Sequence, residues 1–157
     1  MHPVAVARVD YLWFVDLALR EMARIVAELG DERANRRPPF AGANSPYAIL
    51  THCLGVMEYW AGATVAERAI DRDRAAEFAA SGPVAVLLER AGRARQRLAE
   101  DMAGLEAWHT PHSVHRNPDD PVPYSETKGA VLLHILEELF QHLGQMEITR
   151  DVLMAQP

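Results

Sequence analysis

The fold is decided by the stretch Gly129-Ala-Val-Leu-Leu-His-Ile-Leu-Glu-Glu-Leu-Phe-Gln-His-Leu-Gly-Gln-Met-Glu-Ile-Thr-Arg150. Its apolar residues recur every three or four positions, which is typical of a long amphipathic helix. The row of this helix that is expected to face inward becomes polar halfway along, and it consists of Val131, Ile135, Glu138, His142 and Gln145. The stretch therefore predicts a helix that buries a carboxylate and an imidazole against the rest of the protein.

Three further helical patterns precede this stretch. They cover about residues 4–29, 46–68 and 84–108, and the last helix continues to about Met154. Residues 68–80 are typical of a connector with a short helical piece, and no run alternates as a strand does. Residues that commonly cap helices stand at the predicted ends, namely Gly30, Ser45, Ser81 and Ser125. The pattern predicts an all-α protein, a four-helix bundle with long connections after helices two and three.

Composition limits the classes of partner. With 157 residues, of which 49% are hydrophobic, the chain can bury the core of a single domain over residues 1–157. Its formal net charge of −6 argues against nucleic acid, because phosphate binding requires a clustered basic surface. The arginines of residues 90–97 are expected to lie around a helix as part of a solvated face. No secretory signal and no run of about 20 apolar residues is present, so we expect no membrane partner and a cytoplasmic location.

Three polar side chains in apolar helical surroundings suggest a metal site. Glu138 and His142 lie four positions apart, so they project from one face of the last helix and can converge on one ion. A buried carboxylate without a partner is strongly unfavourable, and a divalent cation is one partner that would stabilise it. His52 lies in an equally apolar helical stretch and offers the third ligand. We therefore predict that His52, Glu138 and His142 bind a metal between two helices.

Other interpretations of these residues stay open. A hydrogen bond between Glu138 and His142 would also stabilise the pair, and His134 is spaced so that it could compete with His142 as a ligand. Cys53, the single cysteine, is better explained as a small core residue, since adjacent residues on a helix point about 100° apart and it follows His52 directly. Three further histidines lie in a proline-containing loop that does not enforce their convergence: His109, His112 and His115.

Two segments together resemble a known superfamily. Pro46-Tyr-Ala-Ile-Leu-Thr-His-Cys-Leu-Gly-Val-Met-Glu-Tyr-Trp60 and His134-Ile-Leu-Glu-Glu-Leu-Phe-Gln-His-Leu-Gly-Gln-Met-Glu-Ile-Thr-Arg150 resemble the DinB-like superfamily, and within it the mycothiol-dependent branch of transferases and maleylpyruvate isomerases. The resemblance implies a homodimer of four-helix bundles. It also implies that His52, Glu138 and His142 bind a divalent metal, zinc first and nickel second. Most members have histidine where this sequence has Glu138, a departure that is similar to the mycothiol-dependent branch.

The same resemblance implies thiol chemistry. A metal-coordinated thiol would lose its proton at neutral pH, and the resulting thiolate would attack an electrophilic small molecule. The implied function is a metal-dependent thiol S-transferase, with mycothiol as the low-molecular-weight thiol and co-substrate. Arg150, two turns after His142, could pair with a carboxylate of the thiol or of the substrate. A solvent-facing arginine near the end of a helix is an equally natural interpretation.

Two alternative functions remain in play. A metal-dependent hydrolase would use hydroxide where the transferase uses thiolate, with Glu58 or Glu137 as the base. A non-catalytic, stress-related helical bundle would hold a structural metal or none. Dependence of the activity on added thiol separates the transferase from the hydrolase.

Overall fold

The computed structural model describes residues 6–110 and 127–156, and these residues form helices and connecting loops without a strand. The predicted all-α class is thereby confirmed. In chain order the described helical elements are α1 (Arg8–Ala34), α2 (Pro46–Met57), a π-helical segment (Glu58–Val65), α3 (Arg74–Ala79), α4 (Val84–Asp101) and α5 (Lys128–Met154). Within the same described ranges, none of the helices has the length and the apolar character needed to cross a membrane.

The four longest α-helices pack around a common core. α1 packs against α4 and α5, and α2 packs against the same two helices, while α3 packs against α2. Fully buried side chains from all four fill the space between them, among them Ile25, Leu50, Leu98 and Ile135. Because α2 and α5 are neighbours, side chains on their facing surfaces can form one site.

The predicted cap of the second helix is confirmed. Ser45 Oγ accepts a hydrogen bond of 3.2 Å from the backbone N–H of Ala48, so it satisfies one of the free donors at the start of α2. At the start of α5 the cap is Thr127, whose side chain accepts from Ala130 at 3.4 Å. The predicted cap Ser125 lies outside the described residues.

Two other helix ends differ from the prediction. Gly30 adopts φ 65° and ψ 178°, which interrupts α1 at the predicted position, but helical structure resumes and reaches Ala34. The start of α4 is capped by Asp31 rather than by Ser81, since Asp31 Oδ1 accepts the backbone N–H of Val84 at 2.8 Å. The interruption at Gly30 thus lies beside a residue that joins the end of α1 to the start of α4.

The second helix changes its form partway along. An α-helix was predicted to about residue 68, but beyond Met57 the backbone widens into the π-helical segment, which ends at Val65. Glu67 then has φ 58°, in the left-handed region that stops a helix. Arg68 follows and donates two hydrogen bonds of 2.8 Å to the buried carboxylate of Asp101.

The third predicted helix, α4, is shorter than expected. It ends at Asp101, whereas the apolar pattern predicted a helix to about residue 108. Beyond that point the chain forms turns, in which the backbone N–H of Leu105 donates to the carbonyl of Met102 at 3.1 Å. Trp108 then packs edge-on against Tyr11 of α1, with 5.7 Å between the ring centroids. The apolar residues after α4 therefore contribute to the core from turns.

Candidate metal centre

Helices α2 and α5 bring three donor side chains together. His52 Nε2 lies 3.5 Å from Glu138 Oε2, and His142 Nε2 lies 3.2 Å from the same oxygen. The two imidazole rings are nearly perpendicular, with their centroids 4.9 Å apart. One donor atom from each of the three residues lies within 4.8 Å of the others. The three residues that the sequence singled out as metal ligands thus share one place in the fold.

The two helices expose their donors to different extents. His52 is buried in α2, with 3% of its side chain exposed. Glu138 and His142 lie one turn apart on α5 and keep 22% and 17% of their side chains exposed. A ligand would therefore reach the donors from the side of α5, while His52 forms the floor of the site.

Electrostatics keeps Glu138 ionised. The imidazole of His142, and then that of His52, lowers the pKa of Glu138 well below its ordinary range, against the opposing effect of burial. Glu138 in turn raises the pKa of His142, while partial burial of the ring lowers it. These contacts would also stabilise a hydrogen-bonded Glu138–His142 pair without an ion. The geometry is therefore compatible both with a metal site and with such a pair.

The other ring nitrogen of each histidine has an acceptor. His52 Nδ1 lies 2.8 Å from Glu77 Oε2, and His142 Nδ1 lies 2.8 Å from Gln145 Oε1. An acceptor at Nδ1 favours a proton on that nitrogen and leaves the lone pair on Nε2 available to a metal ion. Both rings direct Nε2 toward Glu138, so the donor set fits a divalent cation.

Glu77 and its neighbours were missed by the sequence analysis. Glu77 lies in α3, and Arg72 donates to both of its carboxylate oxygens at 2.7 and 2.9 Å. Phe78 stacks on the ring of His52 with 4.4 Å between centroids. The sequence carries one local signal for this segment, Asp73, which caps α3 with a side-chain hydrogen bond of 2.9 Å. That signal predicts the helix, but it does not indicate that the helix supports a histidine on α2.

His134 belongs to a second group of donors on α5. It lies with Glu137 and Glu138 so that one donor atom from each is within 4.8 Å of the others. Its Nδ1 is 2.9 Å from Glu137 Oε2, and its Nε2 is 3.8 Å from Glu138 Oε1. Because 59% of the Glu137 side chain is exposed, this group is the more solvated of the two. The group that contains His52 is the better protected place for an ion.

Two polar residues of α5 differ in how they relate to the donors. Gln145 was predicted to face inward, but it is exposed and contacts the site through its bond to His142. Arg150 donates two hydrogen bonds, of 2.9 and 2.7 Å, to Asp151 Oδ1. Eight residues of helix place it about 12 Å along the axis from His142. Its predicted contact with thiol or substrate stays a prediction.

The single cysteine and the histidines of the predicted loop do not belong to the donor set in the part of the chain that the structure describes. Cys53 is fully buried in the core, and burial raises the pKa of its thiol, which agrees with the predicted structural role. His109 is exposed. The other two histidines of the predicted loop cluster, His112 and His115, lie outside the described residues.

A groove of about 770 Å³ lies behind the candidate site. Three arginines of α4 line it, Arg90, Arg93 and Arg97, whereas the fourth, Arg95, lies on another side of the helix and pairs with Asp16 of α1. The arginines therefore lie around the helix, as predicted. Acidic side chains line the groove as well, which gives the groove a mixed charge. Arg72 and Glu77 belong to its lining, whereas the three candidate ligands do not. The Arg72–Glu77 pair therefore separates the groove from the metal site.

Fold and site together define a helical-bundle protein with a two-histidine, one-glutamate donor set between two of its helices. A family model described as mycothiol-S-transferase matches residues 7–155. Since this match covers nearly the whole sequence, the chain belongs to the mycothiol-S-transferase family. A comparison with curated proteins found no match.

Proposed function

We propose that the protein transfers mycothiol to an electrophilic small molecule and that the reaction depends on a divalent metal bound by His52, Glu138 and His142. The observation that carries this proposal is the approach of both histidine Nε2 atoms to one oxygen of Glu138, in a member of the mycothiol-S-transferase family. Zinc is the first expectation and nickel the second, because imidazole and carboxylate ligands suit both ions.

The charge of the donor set suits thiol chemistry. Two neutral imidazoles and one carboxylate would leave a divalent ion with a net charge near +1 and with coordination positions free. When bound, such an ion would lower the pKa of a thiol, so that the thiolate prevails at neutral pH. The sulfur would lose its proton to water and form a bond to the electrophilic carbon, while the bond from that carbon to its leaving group, the halide in an alkyl halide, breaks and the leaving group departs with the electron pair.

The protein's own residues orient and shield this chemistry. His52 is held in place by burial, and Phe78 covers one face of its ring. Trp60 contacts His134 edge-on, with 5.4 Å between ring centroids, and adds apolar surface beside Glu138. An apolar surrounding strengthens the interaction of Glu138 with a cation, because little water competes for the carboxylate.

Three finer parts of the proposal come from the resemblance. Arg150 is a proposed contact for a carboxylate of the thiol or the substrate, and Arg150→Ala would then raise the KM for that compound with little change in kcat. Membership of the DinB-like superfamily and assembly as a homodimer stay predictions. Sedimentation analysis of the purified protein tests the dimer.

The central experiment measures metal and activity together. Protein purified without a histidine tag is analysed for bound metal and assayed with a fluorogenic alkyl halide, with and without mycothiol. We expect about one equivalent of metal per chain, and conjugation that requires mycothiol, stops with a chelator and returns with zinc or nickel. Metal-free native protein that conjugates mycothiol equally well would overturn the metal dependence.

The same assay separates the two alternatives. Turnover without thiol would favour a hydrolase, although Glu58 is paired with Arg68 at 2.8 Å and Glu137 with His134, so that both suggested bases already have partners. A protein without metal and without turnover would favour the non-catalytic bundle.

A further inference from the structure

We propose that Glu77 is a positioning residue that holds His52 as the fixed ligand of the metal centre, and that Gly55 provides the space that this requires. The inference rests on the proposed function in so far as it concerns the same donor set. Its first consequence concerns the proton of His52, which can be observed in the metal-free protein.

Glu77 is held in one position by three contacts. Its Oε2 lies 2.8 Å from His52 Nδ1, while Arg72 Nε and a terminal nitrogen of Arg72 donate to its two oxygens at 2.7 and 2.9 Å. The carboxylate is 10% exposed, so it has little access to water as a substitute partner. Because a buried charge that loses its partners is strongly unfavourable, Glu77 cannot turn away from His52 without a large cost.

Gly55 explains how a carboxylate from α3 reaches a histidine inside α2. A Cβ at Gly55 would lie 2.5 Å from the carboxyl carbon of Glu77 and closer still to Oε1. The obstructing atoms are the end of a side chain, which yields more readily than the helix backbone, so a larger residue would displace the carboxylate and break its contacts. Glycine is less favourable than alanine inside a helix by about 1 kcal/mol. Its presence one turn after His52 is explained by this close approach.

The support of the two histidines is unequal. His52 Nδ1 faces a buried carboxylate, whereas His142 Nδ1 faces the neutral amide of Gln145, which is exposed. Hydrogen bonds to charged acceptors are about twice as strong as neutral ones, and a carboxylate acceptor makes the opposite ring nitrogen a better metal ligand. The structure therefore assigns His52 as the fixed ligand and His142 as the adaptable one.

The metal-free protein provides the first test. Long-range proton–nitrogen NMR identifies which nitrogen of the neutral His52 ring carries the proton, and we expect Nδ1 in the unmodified protein. Glu77→Ala removes the acceptor at Nδ1, and the neighbouring Arg72 can only donate to that nitrogen, whereas Nε2 keeps Glu138 as an acceptor, so the proton is expected on Nε2. An unchanged proton position in Glu77→Ala would overturn the proposal, because Glu77 would then not control the ring.

Metal affinity provides the second test. Competition with a chromogenic chelator measures the zinc dissociation constant, and we expect Glu77→Ala to weaken binding about 10- to 100-fold. Glu77→Gln keeps an acceptor without the charge and should recover part of this loss. Gly55→Ala, which displaces the carboxylate and keeps it in the protein, should act in the same direction as Glu77→Ala. The matched control is Gly92→Ala on α4, where an added Cβ meets nothing within 4 Å, and it should leave affinity unchanged.

The two readouts separate the possible failures. If the unmodified protein binds no metal but the His52 proton moves as expected, the proposed function fails and the positioning role stands. If Glu77→Ala and Gly55→Ala lower the free energy of unfolding but change neither the proton position nor the zinc affinity, then Glu77 only joins α3 to α2 and the proposal is wrong. Cobalt substitution adds a spectroscopic check, since altered ligand orientation shifts the visible absorption bands.

Discussion

His52 Nε2 and Glu138 Oε2 lie 3.5 Å apart although one residue belongs to α2 and the other to α5. An ion placed between them would join two neighbouring helices that the π-helical segment, α3, α4 and their connections separate along the chain. The candidate site therefore forms only when α2 packs against α5. Replacing a ligand residue and adding metal should both change the stability of the fold.

The two groups of donors around Glu138 can be separated by substitution. We expect His142→Ala to lose the bound metal with its helices retained, because His142 is one of two nitrogen ligands of the buried group. His134→Ala should keep about one equivalent, because His134 belongs to the more solvated group. Metal analysis with circular dichroism checks both variants, and the reverse result would transfer the site to His134, Glu137 and Glu138.

Metal binding should stabilise the folded protein by mass action. At a free zinc concentration 100 times the dissociation constant, the free energy of unfolding should rise by about 2.7 kcal/mol. The donors are brought together only in the fold, so the unfolded chain gains little. Urea denaturation with and without zinc measures the difference, which should vanish in His142→Ala. An equal gain in that variant would indicate that zinc binds elsewhere.

The ion pair between Arg68 and Asp101 allows a test of stability that does not involve the metal site. Asp101 has 4% of its side chain exposed and receives two hydrogen bonds from Arg68, so Arg68→Ala leaves a buried carboxylate without its cation. We expect a loss of about 3 kcal/mol in the free energy of unfolding. The matched control, Arg24→Ala, removes an arginine whose ion pairs are exposed, and it should change stability by less than about 1 kcal/mol.

Because the thiol of Cys53 is buried, we expect the stability of the protein to fall at alkaline pH. Burial raises the pKa of its thiol, so the folded protein keeps a proton that the unfolded chain releases above about pH 8.5. The contribution of the buried thiol to stability is fully present below that pH. Above it, the free energy of unfolding falls by about 1.4 kcal/mol per pH unit. Denaturant unfolding between pH 8 and 10 should show a shallower decline in Cys53→Ala. The native thiol should also resist alkylation, and rapid modification would contradict its burial.

The fold was largely accessible from the sequence because helical periodicity is a local property. Apolar spacing predicted the all-α class, and Ser45 correctly marked the start of α2. The spacing did not predict the π-helical segment, since Glu58–Val65 continues the apolar character of α2 and Gly62 alone does not distinguish a π-helical turn from an α-helical one. The end of α4 was predicted too far along the chain because Leu105 and Trp108 continue the apolar pattern, although they pack against the core from turns.

The candidate ligands were accessible for a different reason. A four-residue spacing enforces convergence of Glu138 and His142 on any α-helix, and His52 was then the histidine in the most apolar helical context. Glu77 had no such signal. Its contact with His52 depends on the docking of α3 on α2 and on the space at Gly55, and both are properties of the tertiary structure.

The π-helical segment gives the second helix a tolerance in its length. A π-helical turn holds about one residue more than an α-helical turn, so Glu58–Val65 accommodates a residue that an α-helix over the same distance would not. Deleting one residue from it would allow an ordinary α-helix and leave the direction of the chain after it nearly unchanged. Arg68 would then still face Asp101. In related sequences, a one-residue gap between positions 58 and 65 should therefore be compatible with this arginine–aspartate pair.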